Sequence, residues 1–284
     1  MLKHLFRYSS KIGLKIIVSP SDYHGFKEDE TDGFNLLSSG IADGAILLEY
    51  MAGDQRIKYL KRTGTPYVVL GQPKEQDIPA VSLDNFDVGF KGGRYLKEKG
   101  FEKICYLTND QNIYSTKLRV KGFLEAVPKG RIIYGVKDAK SAYEKTKELL
   151  SQEEVDCIFT NGDNRFLGIY KAAYECGRKI PEDLGVLSTD NGPINEDACP
   201  ALSSLDQDFK KLAQECITML QSLLEKQQAP ELSISPELSR IQKLPNGHEL
   251  PKTQVPPTNQ QIFLPSAVIE RESTRCARCS NEKL

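Results

Sequence analysis

The sequence predicts an α/β protein made of doubly wound, parallel sheets in two lobes, and three observations predict it. Short apolar runs of strand length alternate with amphipathic stretches of helix length along most of the chain, which is the pattern of repeated βαβ units. Two successive strand-like runs, residues 157–159 and 184–187, each end in polar residues: Thr160-Asn161-Gly162-Asp163 and Ser188-Thr189-Asp190-Asn191. A strand, then a polar turn, then a helix places such turns at the carboxyl end of a sheet, where open α/β folds bind small ligands. Finally, 284 residues suffice for two lobes that each bury a core.

The elements follow in order. Residues 2–13 read as an amphipathic helix stopped by Gly13, and 14–18 as a strand. A loop rich in Ser, Pro, Asp and Gly spans 19–33, and a short helix follows it. Asp43-Gly44 leads into the buried-type strand 45–48. Asp54 is an N-cap for a helix through Arg62, with Gly64 just past its end. Thr65-Pro66 opens the strand 67–70, residues 80–83 form another, and Asp84 starts a helix that ends at Gly100. A strand at 103–107, a helix at 114–127, a strand at 131–134 and a helix at 139–151 precede the two polar-ended strands, with the helix 166–175 between them. Residues 202–205 return as a strand, 208–226 form a long helix, and 262–270 close the fold. Pro230, Pro236, Pro245, Pro251, Pro256 and Pro257 interrupt 229–260, which loses all periodicity and reads as a functional loop or insertion, with 238–259 as its centre.

Composition narrows the function classes. With 39% apolar and 27% charged residues the chain reads as globular, and no apolar run approaches the ~20 residues of a membrane span. Residues 1–7 open no signal peptide, so the expected location is cytoplasmic. Lys plus Arg (38) nearly balance Asp plus Glu (39), without a basic block that would track phosphates. The seven cysteines are scattered; Cys105 and Cys157 sit in apolar strands as small hydrophobes. Cys276-Ala-Arg-Cys279 is a lone CxxC in a polar tail, 276–284, where a metal or redox site is a weaker reading than a solvated tail. The chain shows no G-x-G-x-x-G, no G-x-x-x-x-G-K-[ST] and no G-x-S-x-G, and His4, His24 and His248 stand in poor positions for a general base. No enzyme activity, cofactor or metal is expected.

Five pieces carry a family resemblance: DGAILLE at 43–49, VSLDNFDVGFKGGRYLKEKGFEKICYL at 81–107, RVKGFLEA at 119–126, the stretch 155–207, and LPSAVIERESTR at 264–275. In order and spacing they resemble the effector-binding core of the LacI/GalR family of bacterial transcription regulators. The resemblance implies a type I periplasmic binding protein-like fold, two lobes joined by a hinge, with 1–100 and 207–228 in the N-terminal lobe and 101–206 and 261–275 in the C-terminal one. It also implies a helix-turn-helix domain, a hinge helix and a first β-strand before Leu2, none of which this sequence contains. The expectation is an N-terminally truncated chain that senses a sugar and forms a homodimer, and that reaches operator DNA only through the domain absent here. A free-standing sugar-binding protein of the periplasmic type is the alternative; the absent export signal and the terminal Glu270-Arg271-Glu272-Ser273-Thr274-Arg275 count against it.

A sugar needs acceptors and donors for vicinal hydroxyls and an aromatic face for its ring. By the resemblance, Asp190 and Arg119, the latter in an R-x-x-G-[FW] pattern, are effector contacts; an N-cap and a surface ion pair are their ordinary readings. Asp87 and Gln207 match further family contacts, with a cap and a turn as alternatives. Phe159 and Phe209 are candidate ring-face contacts, although an aromatic at a strand end is more often core. Ser115 could donate one hydrogen bond, and Asp163 could touch ligand or order Arg119 or the turn. Gly162 stands where many relatives carry Asn. Dimerisation in the family uses outer helices, here 54–62 and 209–224, but Leu212, Cys216, Met219 and Leu223 fit an intramolecular core equally well.

Overall fold

A computed structural model describes residues 1–19, 35–152, 154–228 and 260–275. In chain order the elements are α1 (Leu2–Lys11), α2 (Asn35–Ser38), β1 (Ala45–Leu48), α3 (Gln55–Thr63), β2 (Tyr67–Leu70), β3 (Ala80–Leu83), α4 (Asn85–Glu98), β4 (Ile104–Leu107), α5 (Tyr114–Ala126) and β5 (Arg131–Ile133). They continue with α6 (Ala139–Gln152), β6 (Cys157–Thr160), α7 (Phe166–Glu175), β7 (Gly185–Asp190), α8 (Ile194–Asp197), β8 (Ser203–Asp206), α9 (Phe209–Gln228), β9 (Gln261–Leu264) and β10 (Ala267–Ile269). The expected centre of the Pro-rich insertion, the polar tail with its CxxC, most of the 19–33 loop, and His24 and His248 lie outside the described residues.

The chain divides into two compact units, 1–81 with 213–262 and 82–212 with 263–284. In the first, β1, β2 and β3 pair in parallel in that order, and β9 lies beyond β3. Asp54 caps α3 by accepting from the Arg56 amide at 2.9 Å. The expected strand at 14–18 does not form. A strand exists only through a ladder partner, and among the described residues none pairs with this segment or with the outer edge of β1. Ile17 and Val18 are each 57% exposed as a result. On α9, Leu212, Cys216 and Met219 are buried within the chain itself, whereas Leu223 is half-buried.

The second unit carries six strands in the order β10-β8-β7-β6-β4-β5, parallel except for the antiparallel edge strand β10. The two-residue period of a strand sorts its side chains to two faces. Cys105, Leu107 and Ile158 join Phe166, Ile169 and Ala142 in the layer under α6 and α7. On the other face Tyr106 and Phe159 pack with Phe123 of α5. Helices on both faces make this a doubly wound sheet.

Residues 82–100 were expected in the first lobe, but α4 belongs to the second unit. The reason is a close approach that only glycine allows: a Cβ on Gly89 would lie 1.9 Å from the Arg119 carbonyl oxygen, and one on Gly122 would lie 2.1 Å from that of Phe86. Alanine ordinarily stabilises a helix interior by about 1 kcal/mol relative to glycine. Gly89→Ala or Gly122→Ala should do the opposite here, costing about 3 kcal/mol in urea unfolding because two backbones must separate. A cost below about 1 kcal/mol would contradict the interlock.

Candidate functional site

The strand order reverses between β4 and β6: the chain leaves β4 for β5 on one side and then returns to build β6, β7 and β8 on the other. Such a switch point opens a crevice at the carboxyl ends of the two strands. Asn161 sits there, one residue past β6 and 3% exposed. Its Nδ2 donates to Thr108 Oγ1 at 2.7 Å, and its Oδ1 accepts from the Tyr106 hydroxyl at 2.5 Å and from Arg119 Nη1 at 3.2 Å. Burial pushes the Tyr106 phenol up to about 12, which keeps it a donor. Arg119 Nε also donates to Oδ1 of Asn85, the buried first residue of α4, at 2.7 Å. Two neutral amides therefore aim the guanidinium, and no hydrogen bond from Nη2 to a described residue is formed.

A second arginine braces the same edge. Arg165, 7% exposed, donates from Nε to the Val136 carbonyl at 2.9 Å, from Nη1 to the Asn161 carbonyl and from Nη2 to Asn109 Oδ1. These partners follow β5, β6 and β4, so one side chain ties three strand ends together. Gly162 makes room for it. Its φ is 74°, and a Cβ there would stand 2.7 Å from Arg165 Nη1.

Asp163 and Asp190 behave differently. Asp163 is buried, and its Oδ1 accepts from Ser188 Oγ at 2.6 Å, Asn195 Nδ2 at 2.9 Å and Ser204 Oγ at 3.2 Å. Its Oδ2 accepts from the Gly192 amide at 2.5 Å. Four internal donors bond this carboxylate and tie the turn after β7 to β7 and β8. Asp190 ends β7 with φ of 100°, followed by Asn191 at 51°, a region that side-chain-bearing residues rarely adopt and that Asp and Asn tolerate best. Its Oδ1 accepts from Gln207 Nε2 and, at 3.3 Å, from Thr189 Oγ1, while no described donor bonds Oδ2. Burial holds the Asp190 carboxyl above the usual carboxylate range, against the pull of Arg119; nearby Asp163 raises it further.

The other expected residues distribute unevenly. Gln207 reaches Asp190, and Ser115 lies one turn before Arg119 on the same face of α5. Phe209, half-buried, opens α9 two residues after Gln207. Asp87 lies on α4 in the second unit, not the first; its Oδ2 pairs with Lys91 at 2.8 Å and faces the Ser266 amide at 3.4 Å, and no described contact joins it to Asp190 or Arg119. Phe159 is no ring-face contact. It is wholly buried, stacked on Tyr106 with centroids 4.4 Å apart, and beneath Gly92, so it belongs to the core.

The sequence reading missed Asn85, Asn161 and Arg165. Asn161-Gly162 was visible only as a turn, because the register that sets β6 beside β4 and brings Asn161 to Thr108 is not encoded in either strand alone. Arg165 looks like an ordinary residue in a first helical turn, and nothing in its neighbours signals a buried guanidinium.

Comparison with known proteins identifies the family and the fold. Residues 94–241 match the periplasmic binding protein-like domain family. The HTH-type transcriptional regulator CelR of Thermobifida fusca is 26% identical over 207 residues, 69% of this chain and 60% of that protein. The HTH-type transcriptional repressor PurR of Shigella dysenteriae is 28% identical over 194 residues, 64% of this chain and 57% of that protein. The chain thus spans about six-tenths of the length of these curated relatives, which are transcriptional regulators rather than enzymes. The solved complex of transcriptional regulator CelR with cellobiose superposes with a TM-score of 0.75 at 21% identity, covering 96% of this chain and 77% of that one, which establishes the shared fold. With the family match spanning more than half its length, the chain belongs to the periplasmic binding protein-like domain family, as an effector-binding core of the LacI/GalR type.

Proposed function

We propose that the chain is the sugar-sensing and dimerising core of a LacI-type transcription regulator, with its effector held at the switch-point edge of the second unit. One observation carries the reading: Asp190 presents an open acceptor, Oδ2, and Arg119 presents open donors, while the other charged groups beside them, Asp163 and Arg165, are committed to the protein. A pair of vicinal hydroxyls, each both donor and acceptor, suits that combination. Ser115 and Gln207 add polar contacts at the same edge, and Phe209 is the remaining candidate for a ring face. Asp87 would contribute only after leaving Lys91 and Ser266. That CelR is solved with cellobiose supports the ligand class. Ligand binding would bias a two-state arrangement of the regulator. Dimerisation through α3 and α9, a cytoplasmic location, and operator binding through a part of the regulator outside this chain complete the proposal. No helix among the described residues is long and apolar enough to cross a membrane, and Lys plus Arg (38) nearly balance Asp plus Glu (39) along the chain.

Thermal unfolding with a panel of sugars that includes cellobiose and D-ribose tests this. A ligand at about 100 times its Kd adds about 2.7 kcal/mol of stability, a rise of several degrees in the midpoint. Asp190→Asn or Arg119→Lys should weaken binding of the active sugar about a hundredfold. Turnover of any sugar, specific binding of operator-like DNA by this chain, or full sugar affinity in Asp190→Asn would each refute the proposal.

Without ligand, the same substitution should stabilise the protein. A carboxyl whose folded-state pKa is raised contributes stability that is present below its unfolded value, near 3.9, and is lost as pH rises through the raised value. Asp190→Asn removes that loss. Its thermal midpoint should therefore exceed that of the parent at pH 7, and the difference should shrink as pH falls below the ordinary carboxylate range. A lower midpoint at pH 7 would show that the Asp190 charge is stabilising in the free protein.

A further inference from the structure

The Glu270–Arg275 motif marked the family in the sequence, and the structure gives most of it a plain role. Ser273 Oγ donates to the Val186 carbonyl at 2.6 Å and accepts from the Ser203 amide at 2.8 Å, and Glu272 Oε2 accepts from the Ala201 amide at 2.9 Å. These contacts fasten the segment after β10 to the starts of β7 and β8. Arg271 does something else. Its amide donates to Ser203 Oγ at 2.8 Å and its Nη1 to the Leu202 carbonyl at 2.9 Å, which anchors the residue. Its Nη2 then reaches out to the turn after β7, donating to Asn191 Oδ1 at 2.8 Å and to Glu196 Oε1 at 3.3 Å. The side chain is 13% exposed, against 75% for Glu196, so the Asn191 contact is the sheltered one and the Glu196 contact counts for little.

We propose that Arg271 is a positioning residue for the Asp190 turn: its guanidinium grips Asn191 from the side and so fixes the direction in which Asp190 presents its free carboxylate oxygen. This rests on the assignment of Asp190 as the effector-binding carboxylate. Two consecutive non-glycine residues at φ of 100° and 51° are held only where their surroundings over-determine them. Asp163 and Ser204 supply grips from below, on the Gly192 amide and on the Asn191 amide at 3.1 Å. Neither of those bonds restrains the Asn191 side chain. Arg271 supplies that restraint, and it does so from the C-terminal segment, so the order of that segment and the orientation of Asp190 are linked. A lysine cannot replace it, because one guanidinium spans the Leu202 carbonyl and Asn191 with two separate nitrogens.

The test is hydrogen exchange at the amides of Asn191 and Gly192, read in the parent chain, Asn191→Gly, Arg271→Lys and the double variant. Glycine accommodates the positive φ of position 191 and removes the carboxamide that Arg271 holds, so that variant should remain folded. Each single variant should speed exchange at these amides about tenfold, while amides of β4 and the thermal midpoint stay near those of the parent. At these amides the double variant should exchange no faster than the Arg271→Lys variant, since the Arg271–Asn191 bond is the one that both substitutions remove. Asn191→Asp, which keeps an acceptor oxygen and tolerates the left-handed region, should retain the parent's slow exchange. Additive effects in the double variant, unchanged exchange in Arg271→Lys, or acceleration spread evenly through the whole unit would overturn the proposal. None of these readings needs a ligand, so a failure of every sugar to bind would count against the proposed function and leave this result standing.

Discussion

The second unit depends on a buried carboxylate that never has to face solvent. Removing the Asp163 charge from water is costly unless its lone pairs are filled, and four donors drawn from β7, β8 and the turn between them fill them. Because those donors come from separate segments, satisfying one side chain fixes the ends of two strands and the first residues of the turn. The positive φ angles of Asp190 and Asn191 are affordable only against that background. Arg165 plays the complementary part across the sheet, where one cation closes the ends of β4, β5 and β6.

This arrangement divides labour between two pairs of charges. Asp163 and Arg165 are engaged in architecture: four internal donors bond the one, and the other ties three strand ends together. Asp190 and Arg119 lie on the same edge and are held by neutral side chains, Gln207 for the one and Asn85 with Asn161 for the other. Neutral supports aim a charged group without cancelling it. Burial raises the pKa of Asp190, so this carboxylate is partly desolvated while its Oδ2 receives no hydrogen bond from a described donor.

How much of this was legible in the sequence depended on whether the information is local. The alternation of strands and helices, the N-cap at Asp54 and the polar ends of β6 and β7 are properties of short windows, and they read correctly. The boundary between the two units did not, because it depends on the contact of Gly89 with Arg119 and of Gly122 with Phe86, pairs that are 30 and 36 residues apart. The strand expected at 14–18 had the right composition and lacked a partner, which composition cannot report. Phe159 stood at a strand end, as a ligand wall would, yet the pleat turned it inward onto Tyr106. Asp163 and Asp190 looked alike as carboxylates after strands; only counting their donors separates them.

That separation is the central claim, and a crystal structure of the chain with whichever sugar raises its melting temperature tests it most directly. The account predicts ligand hydroxyls on Asp190 Oδ2 and on Arg119, with both oxygens of Asp163 still bonded to Ser188, Ser204, Asn195 and the Gly192 amide. A ligand hydroxyl bonded to Asp163, or a sugar bound away from the β4–β6 edge, would contradict it.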